Sequence, residues 1–263
     1  MKTSFVDIHC HLLPGIDDGA KDWEESLAMA GLAASEGAAV VVATPHQLGN
    51  FGQNRGDTIR QLVDELQKRL RAARIPLKVL PGADVRIEPD MCERIAAGDV
   101  VSLGDHRRHV LLELPHELYL PLEPVIDELD RHGMVGILSH PERNEGILRC
   151  PEIVAPLVDR SCLMQVTAGS ICGAFGPDCQ DLSEWLLVEG FVHFVATDAH
   201  GPRSRRPLLQ RAFDRVAELT SESMAIELFA DNPAAVAEGQ GVHAGRRPAF
   251  RRKRNWFTRQ SAA

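Results

Sequence analysis

The stretch Val6 to Gly19, VDIHCHLLPGIDDG, sets two histidines two residues apart in an apolar run, then two aspartates beside a glycine. In a β-strand, residues i and i+2 project to the same side. His9 and His11 therefore point together and Cys10 faces away. Two imidazoles on one face can share a metal ion, although a pair of ordinary strand-end histidines before an Asp-Asp-Gly turn has the same residues. Further donors follow later apolar runs: His46 in ATPH, Asp84 in PGADVR, Glu113 in LLELP, His140 and Arg143 in LSHPER, and Asp198 and His200 in ATDAH. Any one of these could cap a helix or finish a turn. Together they form a set of nitrogen and carboxylate ligands without cysteine, which suits Mn, Fe, Co or Zn better than a thiolate zinc site. There are more donors than one ion needs, so two or three ions sharing bridging carboxylates are expected.

The elements that must position these residues alternate between strand and helix. Seven apolar runs rich in Val, Ile and Leu read as strands buried on both faces: 4–9, 38–44, 77–82, 109–114, 134–139, 162–167 and 192–197. DWEESLAMAGLAASEG reads as a helix with Asp22 at its N-cap, Glu25 three later and a stop at Gly37. DTIRQLVDELQKRLRAA aligns Ile59, Leu62, Val63, Leu66 and Leu70 on one face, and PLEPVIDELDRHG and DLSEWLLVEG are similar. Such alternation implies a parallel sheet. Seven units in about 230 residues suit a closed or nearly closed βα barrel, with an open doubly wound sheet as the alternative. Six of the seven strands deliver His, Asp or Glu at or beyond their C-terminal ends, which converge on one face of such a barrel.

Composition sets outer limits. The 263 residues carry a formal charge of −8, which argues against nucleic acid as the main ligand. The six cysteines show no C-x-x-C pair. No apolar run approaches the length of a membrane span, and Asp7 and His9 interrupt any signal-peptide core. A reduced, cytoplasmic setting is expected. Residues 243–263 hold seven Lys and Arg and no Asp or Glu. The body, 1–242, is left with 22 basic against 37 acidic residues, a formal −15. The tail reads as a flexible extension separate from the body. With Phe250, Trp256 and Phe257 interleaved, it could meet an anionic membrane surface or an acidic partner.

DIHCHLLPGIDDG, ATPH, LPGADVR, LLELP, SHPERN and ATDAH, in that order, resemble the PHP (polymerase and histidinol phosphatase) superfamily. More narrowly they resemble its bacterial metal-dependent protein-tyrosine phosphatases from capsular and exopolysaccharide loci. The likeness runs from residue 6 to about 240. It implies a distorted seven-stranded (β/α)7 TIM-like barrel, the PHP fold, holding three divalent ions, commonly manganese. By that resemblance His9, His11 and Asp198 would hold one ion and Glu113 and His140 a second, with Asp84 bridging the two. Asp18, a better candidate than Asp17, would hold the third with His46 and His200. Arg143 would grip the phosphoryl group. One departure is Asp84 itself, where the family pattern implies Glu, one methylene longer. The remaining histidines, 106, 109, 116, 132, 193 and 243, are expected on surfaces or in ordinary packing.

The expected chemistry is hydrolysis of a phosphate monoester, with a water activated by clustered dications. A phenolate leaving group, with a pKa near 10, needs little acid assistance, though His200 could supply some. The Cys-x5-Arg signature of cysteine phosphatases is absent. The resemblance implies a tyrosine-phosphorylated bacterial kinase as partner, met at the inner face of the membrane. A PHP enzyme for a small ester such as histidinol phosphate, a phosphodiesterase, and a non-catalytic module that kept the barrel are the rival readings.

Overall fold

The computed structural model describes residues 4–246. Nine short parallel strands follow seven paths. β1 spans Phe5–Cys10 and β2 Ala38–Ala43, and β3, His46–Gln47, continues β2 after two residues. β4, Lys78–Pro81, is likewise continued by β5, Asp84–Arg86. β6 (His109–Glu113), β7 (Val135–Ser139), β8 (Leu163–Thr167) and β9 (Phe194–Ala196) complete the set. The sheets run β1-β2-β4 and β3-β5-β6-β7-β8-β9. Because β2 pairs with β4 and β3 with β5, the second and third expected strands are each one path broken near its exit, at Thr44-Pro45 and at Gly82-Ala83. Pro45 has no N–H to give a ladder, yet its carbonyl accepts from Asp84 N at 3.2 Å and carries the pairing across the gap. The last path meets the first through a Cys10–Ala199 bridge and bonds from Asp198 N to His9 O and from His11 N to Ala199 O, both 2.8 Å.

The helices lie between the strands in the expected rhythm. α1, Trp23–Glu36, starts where the Asp22 side chain accepts from Glu25 N and stops at Gly37. α2, Gly56–Ala72, buries Ile59, Val63, Leu66 and Leu70. Among the described residues no helix is long and apolar enough to cross a membrane. A smaller core of Val6, Ile8, Val42, Leu111, Ile137, Leu163 and Phe194 is distinct from the larger core beneath the helices. Leu111 and Glu113 share a strand face, as do Leu163 and Gln165. Ile8 joins the first of each pair, while His9 contacts Gln165. Consecutive residues of β1 thus serve one interior. The register shift between Asp7 and Cys10 is the bulge that permits this.

The chain after β9, unassigned from the sequence, forms α3 (Gln210–Leu219), α4 (Glu222–Ile226), a π-helical turn over Glu227–Asp231, and α5 (Asn232–Ala237). Phe213 and Phe229 from this segment pack on Phe5 at centroid distances of 5.3 and 5.8 Å. Of the expected tail, Arg246 lies on the body: its guanidinium pairs with Glu189 and sits 4.7 Å over the Phe191 ring. Residues 247–263, with Phe250, Trp256 and Phe257, lie outside the described residues. Since Phe229 is fully buried, Phe229→Ala should cost about 3–5 kcal/mol, read as a lower denaturant midpoint. A loss under about 1 kcal/mol would detach this segment from the fold's stability.

Candidate metal centre

The strand exits bring the expected residues together at one rim. His9 and His11 approach with their Nε2 atoms 3.3 Å apart, so the bulged strand does aim both imidazoles to one side. Each ring is set by its other nitrogen. His9 Nδ1 lies 2.7 Å from Gln165 Oε1, and His11 Nδ1 lies 2.8 Å from Asp17 Oδ2. An acceptor on Nδ1 fixes the tautomer that leaves Nε2 free as a ligand. Asp17 also accepts from Gly19 N and His46 N. Gly19 is required there, because a Cβ would fall 2.3 Å from His11 O. The neighbouring Asp18 turns to the cluster, its Oδ1 3.4 Å from His46 Nε2 and 3.3 Å from His200 Nε2. Asp17 thus positions a ring, and Asp18 is the available donor.

Asp84 is fully buried, 3.5 Å from both His9 Nε2 and His46 Nδ1. Glu113 Oε2 is also 3.5 Å from His46 Nδ1. Asp198 Oδ1 lies 3.2 Å from His9 Nε2 and 3.4 Å from His11 Nε2, while its Oδ2 takes the guanidinium groups of both Arg143 and Arg205. Among the described residues, donor atoms gather within 4.8 Å in five sets, four of them at this rim: His11, Asp18, His46 and His200; His9, His11 and Asp84; His9, His140 and Asp198; and His46, Asp84 and Glu113; the fifth, Cys92, Glu128 and His132, shares no residue with these. Asp84 belongs to two of them, as a bridging carboxylate would. Glu113 and His140, expected to share an ion, stand in different sets.

The backbone supports this convergence at some cost. His140 and Asp198 adopt φ of 35° and 49°, the left-handed region that side chains other than glycine seldom occupy. Glu142 is buried and accepts from Thr167 N and Ser170 Oγ, anchoring the turn that carries Arg143. Asp7 is buried one pleat below His9 and accepts from His9 N, Thr197 N and Thr197 Oγ1.

Electrostatics follow from this crowding. Burial opposes charge on His9, but Asp198 and Asp84 overcome it and raise the imidazole to about 9. His46 also reaches about 9 against burial, through Asp18, Asp84 and Glu113. Burial and the Asp84 charge push Glu113 up to about 7. Burial resists ionisation of Asp198, but His9, His11 and Arg205 hold it well below the usual range. His140 falls well below its ordinary value through burial and Arg143. Both Asp84 oxygens and His46 Nδ1 are buried without a hydrogen-bond partner in the protein. Orphaned donors facing one another inside a ring of imidazoles fit cations: the side chains present could hold divalent metal.

All nine candidate ligands named from the sequence lie at this rim, and Arg143 lies beside it. The sequence reading missed several neighbours. His116, expected in ordinary packing, stands 3.2 Å from Arg143 Nη2 with its ring 5.2 Å from that of His140. Arg205, Asp7 and Gln165 carried no motif. Only the alternation Leu163, Gln165, Thr167 placed a polar residue where β8 exits.

The capsular polysaccharide synthesis family CpsB/CapC matches residues 5–238. Tyrosine-protein phosphatase YwqE of Bacillus subtilis (strain 168) is 36% identical over 209 residues, 79% of this chain and 82% of the relative. Tyrosine-protein phosphatase CpsB of Streptococcus pneumoniae is 25% identical over 233 residues, 87% and 96% respectively. A solved structure from work on these two proteins, described there as metal-dependent tyrosine phosphatases, matches at a TM-score of 0.87 and 33% identity. It covers 95% of this chain and 100% of that one. The lactonase Lmo2620 of Listeria monocytogenes, 16% identical over 91% of this chain and 96% of its own, shares the fold alone, at a TM-score of 0.57.

Metal must displace the protons that His9 and His46 hold in the metal-free cluster. Below pH 9 those protons compete, so affinity should rise with pH from 6 to 9. Calorimetry with Mn2+ in two buffers of different ionisation enthalpy should show net proton release near pH 7. Binding that is independent of both pH and buffer would contradict the protonated cluster.

Proposed function

We propose that this chain, which belongs to the CpsB/CapC capsular polysaccharide synthesis family, is a metal-dependent protein-tyrosine phosphatase. Its substrate is a tyrosine-phosphorylated bacterial kinase that regulates capsule or exopolysaccharide synthesis, met at the cytoplasmic face of the membrane. The observation that carries the proposal is the set of donor groups sharing His9, His11, His46 and Asp84. Shared donors serve several adjacent cations, and adjacent cations suit the charge of a phosphoryl group. Three divalent ions are proposed, manganese first, with Fe, Co or Zn as alternatives. The ligands would be His9, His11, Asp18, His46, Asp84, Glu113, His140, Asp198 and His200, with Asp84 bridging.

Divalent ions bound there would supply Lewis acidity and lower the pKa of a water. The remaining work falls to the chain. Arg143 offers a planar fork beside the cluster, steadied by the Phe175 ring 4.5 Å away and by His116, and suited to two phosphoryl oxygens. His200 is held by its Nδ1 contact with the Asp198 carbonyl, 3.0 Å, and turns Nε2 towards Asp18 in the cluster. Burial and the neighbouring His11 lower its pKa, which suits a neutral ring that would serve as a ligand through Nε2; with Nδ1 on the carbonyl, such a ring would have no proton of its own to give a leaving group.

The thiol alternative has no candidate. Burial raises the pKa of Cys10, Cys92, Cys162, Cys172 and Cys179, and a hydrogen bond to Glu152 raises that of Cys150. A nucleophilic cysteine needs the opposite shift. The basic tail, 243–263, is proposed as a contact for an anionic membrane surface or the kinase itself. The second reading, a phosphatase for a small ester such as histidinol phosphate or a phosphodiesterase, draws on the same cluster.

A parallel assay on a phosphotyrosyl peptide, histidinol phosphate and a phosphodiester decides between them, with the peptide expected to be hydrolysed fastest. Chelation should abolish the activity, Mn2+ should restore it, and thiol alkylation should spare it. Persistent turnover in protein shown to be metal-free by elemental analysis would end the mechanism. Arg143→Ala removes a charge-assisted contact of about 1.5–3 kcal/mol, so kcat/KM should drop roughly tenfold to a hundredfold. Unchanged kinetics would take Arg143 out of the site.

A further inference from the structure

Two recesses open beside the donor cluster. The larger, about 380 Å3, is lined by charged and small residues, among them Asp18, Lys21, His200 and Arg205, and by no phenyl ring. The other, about 230 Å3, shares His46 and Glu113 with the cluster and is walled by Leu48, Phe51 and Arg86. Its wall is a built feature. The loop after β3 turns tightly, with Phe51 N donating to Leu48 O at 2.9 Å and Leu48 and Gly49 at φ of 70° and 52°. Gly49 suits that conformation, and a Cβ there would press on Arg86 Cγ at 3.1 Å. Gly49 N is held by Glu88 Oε1 at 2.9 Å. Below the turn, the Gln47 amide bonds to Asn54 O, Asp99 O and Val101 N. The Phe51 ring stacks on His46 at 5.2 Å and 22°, so it is registered to a candidate ligand.

A phosphoryl group seated on the cluster could send its organic substituent into either of these recesses. We infer that the Phe51–Arg86 recess receives the aromatic ring of the ester and sets a preference for aryl over alkyl phosphates. This rests on the phosphatase reading above. Phe51 offers an aromatic face or edge to a second ring, and the Arg86 guanidinium, 4.0 Å from Glu113, can lie over a ring as a cation. The larger recess offers no aromatic ring besides the imidazole of His200. Phe175, a second phenyl near the cluster, carries Arg143 on one face and lines neither recess. Phe51 is then a specificity-determining residue, contributed by a turn that supplies no ligand.

Phenylphosphonate and methylphosphonate present the same non-hydrolysable phosphoryl group and differ in the ring. With the Mn2+-loaded enzyme, phenylphosphonate should bind roughly tenfold more tightly, the scale of an aromatic contact with its burial. Phe51→Ala should reduce that ratio to within about threefold of unity, and Phe51→Tyr should restore it. Because Phe51 also supports His46, metal content is measured beside each ratio. If Phe51→Ala loses metal, Phe51→Leu keeps bulk under the imidazole and removes only the ring. A wild-type-like ratio in a metal-replete Ala or Leu variant would overturn the inference. A wild-type protein that hydrolyses no phosphomonoester would instead defeat the phosphatase reading, and the phosphonate ratio would still report on the recess.

Discussion

The structure depends on keeping several carboxylates and imidazoles ionised in one poorly hydrated rim. An isolated buried carboxylate is costly, and like charges a few ångströms apart resist joint ionisation. Glu113, pushed up to about 7 by burial and Asp84, shows that the protein alone does not fully balance the negative charge. Imidazolium at His9 and His46, both raised to about 9, and the two guanidinium groups on Asp198 supply part of what is missing. A cluster in this state attracts cations, with divalent metal and protons competing for the same donors. The same excess of donors over internal partners leaves the two Asp84 carboxylate oxygens with no hydrogen bond.

A ring of contacts behind the candidate ligands holds the arrangement in place. Gln165 and Asp17 fix the histidine tautomers. The Asp7 carboxylate joins β1 to the turn that delivers Asp198, because it bonds both His9 N and Thr197. The left-handed residues His140 and Asp198 each cost on the order of 1–3 kcal/mol. They persist because the flanking backbone is pinned, at Asp198 by its own N–H to His9 O and after His140 by Glu142. Strain at two strand exits, both bearing candidate ligands, is where a site would be expected to hold it.

Much of this was legible in the residues, and the gaps have physical causes. The strand paths showed because both faces of each strand are buried, which leaves continuous apolar runs. The candidate ligands showed because they fall just past those runs. The breaks at Thr44-Pro45 and Gly82-Ala83 were hidden, since pairing continues across them and local propensity does not report pairing. The bulge before Cys10 was hidden too: strict alternation would set Ile8 and His9 on opposite faces, and register shifts leave little trace in composition. Gln165 and His116 act only through partners far away in sequence, so no spacing could reveal them. The helices after β9 were passed over, although Phe213 and Phe229 close against Phe5. The first of them, α3, is amphipathic and buries Ala212, Phe213 and Val216 on one face, so its period was legible in the residues.

The fold by itself does not choose the chemistry. A lactonase shares the architecture at 16% identity, so the barrel fixes where reactive groups gather and leaves their identity to the strand exits. Here they come from exits spread from His9 to His200, with no two of the four donor sets drawn from a single contiguous segment. Metal affinity is therefore tied to correct pairing around the whole barrel. An unfolded chain cannot reproduce these sets, so ions that bind only the native state add RT ln(1 + [L]/Kd) to its stability. That gain arises where the empty barrel is least favourable, because the charges that repel one another without cations become their ligands. The electrostatic cost that makes the rim unusual in a protein interior would thus couple the stability of the fold to any divalent metal held there.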